Sequence, residues 1–477
     1  MTERPSLWAS TEVGEATGTA VPGDWRASGV AIDSRTLRPG ELFVAIRGPR
    51  VDGHAFVADA FDRGAAAAIV SQRPDGVGTD RPLVQVEDTL ATLRDLARYA
   101  RRRTAARIIG VTGSVGKTGV KEALRTVLSG QAPTAANDGS LNNHWGLPLS
   151  LARLPADFAY GVFEMGMNHP GEIDALARLA RPHVAVITTI APAHMEFFPS
   201  LDSIADAKAE IFEGVPAGGA AVLNRDIPQF GRLARAAAAA GVARIVSFGR
   251  DNGADVRLIE SAIDESGADV RADVAGTVRD YRLELPGTHW IINSLSVLAA
   301  VIAVGADDYA AAHALSRVRS PQRRGERFSV SLAGGDVFVI DDSYNANPAS
   351  MAAAIEVLAH SRPGPGGRRV AALGDMLELG RDAAAMHAGL AGPLEKGRVD
   401  VVFTAGAAMA RLSEALPASR RGYHAATSAE LVAPLVAALR PGDVVLVKGS
   451  AGSRMGAVVA ALRDASSAPS PGAGTTA

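Results

Sequence analysis

The stretch Val111–Leu124, VTGSVGKTGVKEAL, sets glycines, a lysine and a threonine between an apolar run and a helix-like run. A glycine turn between a strand and a helix aims backbone N–H groups at a phosphate, and the helix dipole adds a positive end. Thr112, Gly113, Ser114, Val115 and Gly116 would form such a cradle, Lys117 would reach the β- and γ-phosphates, and the Thr118 hydroxyl would bind Mg2+. The full Walker pattern asks for a glycine where Val111 stands, so the motif here is the shorter Gly113-x-x-Gly116-Lys117-Thr118. By itself it implies ATP or GTP binding and leaves open a kinase, a ligase, a switch or a motor.

In open α/β sheets ligands gather beyond the carboxyl ends of the strands. YGVFEMG brings Glu164 to such an end, and ITTIAPAHMEFF brings His194 and Glu196. An acid beside a phosphate loop suits Mg2+, which prefers hard oxygen donors and keeps several waters. A lone histidine is ordinarily structural, and Lys208 in the helical run DSIADAKAEIFEG reads by spacing as a solvent-facing side chain. Further on, DDSYNANPASM (341–351) sets acids, a tyrosine and asparagines before a helix opened by Pro348, a density of hydrogen-bonding groups that suits a ribose or a base. LGDMLELG and LVKGSAGSRM end two more strands, and Lys448 and Arg454 add cationic groups for an anionic ligand.

The elements that must position these residues fall into three regions. Residues 1–104 hold the short apolar runs ELFVAIRG and AAAAIV and close on the basic RYARRRTAAR, read as a solvated helix end and linker with a phosphate-facing role as the rival. Residues 105–320 alternate RIIGV, YGVFEMG, HVAVITTI and GAAVLN with segments of helical length (116–129, 170–180, 201–213), which predicts a parallel sheet covered by helices on both faces. Residues 321–465 repeat that alternation as a second, doubly wound unit, and the small Pro/Gly-rich end of the chain, residues 466–477, reads as disordered. The fold class is therefore α/β in three domains: a small α/β N-terminal domain, a central P-loop NTPase-like parallel sheet and a C-terminal Rossmann-like domain.

A length of 477 residues, with 47% hydrophobic and 21% charged residues, is that of a globular chain of several domains. A net charge of −2 gives no electrostatic case for nucleic acid or an acidic membrane. With no cysteine the chain has no disulfide, thiolate metal site or cysteine nucleophile, which fits the cytoplasm. The start, MTERPSLWASTEVGE, lacks the apolar core of a signal peptide, and IINSLSVLAAVIAVG (291–305) is shorter than the ~20 residues a bilayer requires, so it reads as a buried core helix.

Taken in order, DSRTLRPGELFVAIRGPRVDGHAF, TGSVGKT, SLNNHWGLPLSLARLP, EMGMNHPGEI, APAHMEFF, DDSYNANPASM and LGDMLELG resemble the Mur ligase family over nearly the whole chain. The resemblance implies an ATP-dependent amide ligase of peptidoglycan precursor synthesis, of the branch that joins D-alanyl-D-alanine to UDP-N-acetylmuramoyl-tripeptide through an acyl phosphate, acting in the cytoplasm as a monomer without nucleic acid or membrane insertion. It implies that Lys117 and Thr118 are the phosphate-loop pair, Glu164 a Mg2+ ligand, His194 a holder of a second Mg2+, and Lys208 a lysine open to carbamylation, which would convert a repelling ammonium into a carboxylate-like group. It also implies nucleotide contacts for Asn293, Arg327 (with Arg324 as the neighbouring alternative), Asp342, Asn345 and Asn347; Trp290 stands where the family usually has an asparagine. Ser34, Arg35, Asn142 and Asn143 match UDP-substrate segments, and Asp375, Lys448 and Ser450 are candidates for the amine substrate by region only. Hinges are expected near 104–107 and 318–322. The alternatives are another Mur-type or folate-polyglutamate-type amino-acid ligase, or a P-loop regulator without amide-forming chemistry.

Overall fold

The computed structural model describes residues 6–332 and 334–467. Of the end read as disordered, residues 468–477 lie outside the described residues, and 466–467 complete the helix Gly456–Ser467.

The first region is built on four parallel strands that lie side by side in chain order, Val30–Ala31, Leu42–Val44, Ala67–Val70 and Leu83–Gln85. The second and third come from ELFVAIRG and AAAAIV and are buried along their whole length, as strands covered on both faces must be. The helix Thr89–Arg103 leaves this sheet toward the central region, capped by Asp88, whose carboxylate accepts the N–H groups of Leu90 and Ala91. Its basic run is a helix end with Arg98 and Arg102 exposed, but two of its arginines are engaged. Arg101 donates to the carbonyls of Ala180 and Arg181, while Arg103 pairs with Glu12 at 3.0 Å and lies over the Trp8 ring.

The central sheet has nine strands. Six are parallel, in the order Thr134–Ala136, Tyr160–Glu164, Arg107–Thr112, Val184–Ile187, Ala220–Asn224 and Arg244–Gly249. The expectation of a wholly parallel sheet is corrected beyond these. Val256–Ile263 continues parallel over two residue pairs, and Ala268–Val274 and Thr277–Leu283 then return antiparallel. Here the sequence changes to strict alternation, which puts Val270, Ala272, Val274, Tyr281 and Leu283 on the core face. Ala275 and Gly276, both at positive φ, close the last hairpin with a two-residue turn. The apolar run 291–305 is indeed a core helix, Thr288–Val304, packed against this sheet.

The third region has the strand order Glu326–Leu332, Gly335–Asp342, Val444–Lys448, Arg369–Gly374, Val401–Ala405, Arg421–Ala425. All neighbours are parallel except the first pair, so the doubly wound sheet carries an antiparallel hairpin at one edge. Separate apolar clusters cover its two faces. Asp342 and Lys448 end neighbouring strands in register. In the central sheet the register likewise sets Glu164 opposite Val111 and Ile187 opposite Thr112. The carboxyl ends of both sheets therefore carry the polar residues singled out in the sequence.

Candidate active site

The phosphate loop leaves the strand Arg107–Thr112 and enters the helix Lys117–Ser129. Gly113 and Gly116 have φ of 147° and 88°, conformations that a side chain would strain. A Cβ at Gly113 would collide with the Thr188 hydroxyl, and one at Gly116 would come within 2.8 Å of Asn293 Oδ1. The loop is tied to the neighbouring strand end: Thr188 donates its hydroxyl to the Val115 carbonyl, and Ser114 N–H donates to Thr189 O. Lys117 folds back and donates to Gly113 O at 2.7 Å. Burial pulls its amine below the ordinary lysine value, against the raising effect of Glu164, and Arg324 lowers it further.

Glu164 is buried at the end of its strand and both carboxylate oxygens are engaged. Oε2 accepts from the Thr118 hydroxyl at 2.6 Å and Oε1 from Asn142 Nδ2 at 2.7 Å. Asn137 braces the same residue through its backbone, accepting from Glu164 N–H and donating to Glu164 O. Nothing in the local sequence marks Asn137, which acts from a different strand end. Asn142, expected at the UDP substrate, is thus held on the Glu164 carboxylate. Asn143 uses its Oδ1 on the N–H groups of Trp145 and Gly146, at the start of the helix Gly146–Ala152.

His194 lies in the loop after Val184–Ile187, with φ of 56°, and its Nδ1 is 2.6 Å from Glu378 Oε2 of the third region. Burial lowers its pKa, the hydrogen bond to Glu378 raises it, and the ammonium groups of Lys117 and Lys208 lower it. Lys208 corrects the solvent-facing reading from spacing: its side chain is buried on the helix Leu201–Ala209. Its amine makes no hydrogen bond or ion pair among the described residues, and burial, reinforced by Lys117, drives its pKa well below the ordinary value.

Across the cleft, Lys448 is buried and donates to Asp342 Oδ2 at 2.7 Å and to the Asn345 carbonyl at 2.8 Å. Desolvation raises the Asp342 pKa, against the lowering effect of Lys448. Lys448 is therefore the counter-ion of Asp342 and not a free cation for an incoming peptide. Asp375 is also occupied, accepting the N–H groups of Met409 and Ala408, and Ser450 Oγ accepts from Leu377 N–H. Asn347 caps the helix Pro348–His360 by accepting from Ser350 N–H, while Asn345 Oδ1 accepts from the next residue's N–H. Arg324 stacks on the Tyr344 ring at 3.9 Å and acts electrostatically on both Lys117 and Asp342. Arg327 instead donates to the Glu265 carbonyl of the central meander.

One cleft of about 1070 Å³ joins the two halves, lined by the phosphate loop, Glu164 and His194 on one side and by Arg324, Asp342 and Lys448 on the other. Asn293 and Trp290 reach it from the core helix, the indole packed on Gly119 where a Cβ would come within 3.0 Å. Ser34 and Arg35 do not line it; Arg35 is exposed and paired with Asp33 at 2.6 Å. Among the described residues three buried polar atoms around the cleft have no hydrogen-bond partner: Ser114 Oγ, His289 Nδ1 and Arg327 Nη2. Such orphans are rare in a finished core and fit a site that completes its hydrogen bonds with a polar ligand. Among the described residues no three His, Cys, Asp or Glu side chains converge to hold a metal. A hydroxyl paired with one buried carboxylate beside a phosphate loop fits Mg2+, which takes one or two protein ligands and draws the rest from phosphates and water.

Residues 111–301 match the Mur ligase middle domain, 323–451 the Mur ligase glutamate ligase domain, and 26–101 the Mur ligase family catalytic domain. The chain is 36% identical to the UDP-N-acetylmuramoyl-tripeptide–D-alanyl-D-alanine ligase of Escherichia coli (strain K12), over 91% of this chain and 93% of that one. It is 33% identical to the ligase of the same name from Bacillus subtilis (strain 168), over 90% and 92%. Among solved structures it is similar to MurF from Acinetobacter baumannii, with a TM-score of 0.83 at 30% identity over 96% of this chain and 99% of that one. It is also similar to MurF ligase from Thermotoga maritima in complex with ADP, with a TM-score of 0.75 at 27% identity over 92% and 98%. No described helix is long and apolar enough to cross a membrane.

Proposed function

The chain belongs to the Mur ligase family, and from that premise we propose that it joins D-alanyl-D-alanine to UDP-N-acetylmuramoyl-tripeptide at the expense of ATP, in the cytoplasm and as a monomer. The observation that carries the reading is the single cleft in which Lys117, Thr118 and Glu164 face Asp342, Lys448 and Arg324 from another sheet of the same chain. The terminal carboxylate of the tripeptide attacks the γ-phosphorus of ATP and ADP leaves. The amine of D-alanyl-D-alanine then adds to the acyl-phosphate carbonyl, and the tetrahedral intermediate collapses to the amide and phosphate. Such chemistry depends on positioning and on neutralising charge in a site closed to water.

Each side chain has a task in that scheme. The phosphate loop binds the triphosphate through its N–H groups, and Lys117 exchanges its bond to Gly113 O for a phosphate oxygen. Mg2+ held by Thr118 and Glu164, with His194 at a second ion, would offset charge on the transferring phosphoryl group. Burial lowers the Lys208 pKa, which favours the neutral amine that reacts with CO2, and its carbamate would supply an anion beside Lys117. Arg324 is the better phosphate contact than Arg327, because it acts on Lys117 and Asp342 while Arg327 holds the meander. Asp342, kept in place by Lys448, and Asn345 would take the ribose and base, with Asn293 over the phosphate loop. The uridine diphosphate would lie along the Ser34–Arg35 turn, where Arg35 is exposed enough to exchange Asp33 for a phosphate.

The decisive experiment supplies ATP, Mg2+, UDP-N-acetylmuramoyl-tripeptide and D-alanyl-D-alanine, follows ADP, and weighs the product. ADP release that needs both substrates, with a product of pentapeptide mass, is expected. ADP release without D-alanyl-D-alanine, or with a different amine only, overturns the assignment. Lys117→Ala should abolish turnover while leaving the melting temperature within a few degrees, because the amine's hydrogen-bond partner is the single Gly113 carbonyl.

A further inference from the structure

The loop 375–380 of the third region does one thing that the ligase scheme above does not use: it delivers a carboxylate to His194. Met376 and Leu379 anchor the loop in the third region's core, and its N–H groups are held by His387 Nε2 at Met376 and by Ser450 Oγ at Leu377. Between those anchors Glu378 points away from its own domain, with φ of 60°. His194, on the facing loop of the central region, has φ of 56°. Two non-glycine residues in the left-handed region, meeting side chain to side chain, are a costly local arrangement that the surroundings must enforce. Those surroundings are visible: Glu196 N–H donates to Glu378 O at 3.2 Å, and Gly380 passes so near Met195 O that a Cβ would come within 3.3 Å.

The geometry points to Glu378 as a positioning residue: by accepting the Nδ1 proton of His194 at 2.6 Å it fixes the imidazole tautomer, so that Nε2 carries the lone pair and His194 can act as a ligand only when the third region is docked on the central one. A histidine ligand is commonly oriented in this way by a carboxylate on its other nitrogen, and removal of that partner weakens metal binding by about 10–100-fold. What is unusual here is that the carboxylate comes from another domain, 184 residues along the chain. The bond therefore couples domain docking to readiness of the metal side of the site. The hydrogen bond stands on the geometry alone; its consequence for turnover rests on the ligase reading.

Full-length Glu378→Ala and Glu378→Gln test it with two measurements. The first is the 15N spectrum of the imidazole nitrogens, with the His194 signals assigned by their loss in His194→Gln. The wild type is expected to carry its proton on Nδ1, Glu378→Ala to move toward Nε2–H, and Glu378→Gln, whose amide carbonyl accepts the same bond, to stay with the wild type. The second is the Mg2+ concentration giving half-maximal ADP release: about tenfold or more higher in Glu378→Ala, within about threefold of wild type in Glu378→Gln, with the KM for UDP-N-acetylmuramoyl-tripeptide unchanged in both. The same tautomer in wild type and Glu378→Ala, or an unaltered Mg2+ requirement in Glu378→Ala, overturns the proposal. If the wild type forms no ADP with these substrates, the ligase reading fails, and the tautomer measurement still judges Glu378.

Discussion

Both oxygens of Glu164 are bonded, to Thr118 and to Asn142, so this carboxylate cannot rotate freely into the cleft. Lys208 is the opposite case, a buried amine with no partner among the described residues, whose pKa is lowered by burial and by the neighbouring Lys117 against the raising effect of Glu210. Burying an unpaired ammonium is costly, which favours the neutral amine. On the proposed reading that amine would react with dissolved CO2 to give a carbamate, whose negative charge Lys117 would match. Lys208→Ala should therefore lower turnover by about 100-fold, the upper end of the loss expected for a group that supports a metal. Formate or acetate at high concentration should restore part of it, because a short carboxylate fits the space vacated by the side chain. Full activity of Lys208→Ala in CO2-depleted buffer would remove the carbamate from the scheme.

At the level of elements, the sequence is informative where function depends on neighbours in the chain. The phosphate loop was legible because glycines, lysine and threonine act within one strand–turn–helix. The parallel strands were legible as short apolar runs, and the core helix 291–305 as a longer one. The meander 256–283 was not anticipated, although its alternation and its Ala275–Gly276 turn are local signals. Asn143, Asn347 and Asp375 expose a deeper ambiguity: a side-chain oxygen that caps backbone N–H groups is of the same type as one that grips a ligand, and only the fold decides which N–H it meets. Asn137 and Glu378 were out of reach because their partners are remote in the chain. One strand end also makes a pH prediction. His183 precedes the strand Val184–Ile187 and accepts Ile108 N–H on Nδ1, and burial, helped by Arg101, Arg107 and Arg181, holds its pKa down to about 4 from 6.5. Between those values the unfolded chain binds a proton that the folded chain refuses, so stability falls as pH drops from 6.5 toward 4 and is unaffected above that window. In His183→Asn the amide oxygen can accept the same N–H without titrating. Its melting temperature should fall less than the wild type's between pH 7 and pH 5, by a margin on the order of a few degrees. Equal slopes would mean that the imidazole is not the group being titrated.

At the scale of the molecule, the three regions are not joined alike. Leu149 and Ala152 of the central region belong to the same apolar cluster as Trp8, Leu42, Leu93 and Leu96 of the first. Trp8 Nε1 donates to Ala152 O, and Arg153 donates to Val30 O. The third region has apolar clusters of its own, and among the described residues its hydrogen bonds and ion pairs to the central region include His194 to Glu378, Glu196 N–H to the Glu378 carbonyl, Thr288 to Glu356, Arg327 to the Glu265 carbonyl and Arg362 to Glu265. A shared core must be torn for its parts to separate, whereas polar contacts exchange with water at little net cost. Of the two hinges expected from sequence, the one near 318–322 should therefore move and the one near 104–107 should not. Because the chain has no cysteine, two can be introduced for spin labels without background. Asp157→Cys with Ser419→Cys spans the central and third regions, and Asp157→Cys with Thr79→Cys spans the first and central ones, all at exposed positions. Without ligand the 157–419 distance distribution should be broad; with a non-hydrolysable ATP analogue, Mg2+ and UDP-N-acetylmuramoyl-tripeptide it should narrow, as the docked third region closes the cleft over the phosphates. The 79–157 distribution should be narrow throughout. Glu378→Ala should broaden the ligand-bound 157–419 distribution, because it removes one of the bonds that hold the third region down. A 79–157 distance that shifts as much as the other would mean that the shared apolar cluster does not bind the first two regions into one body.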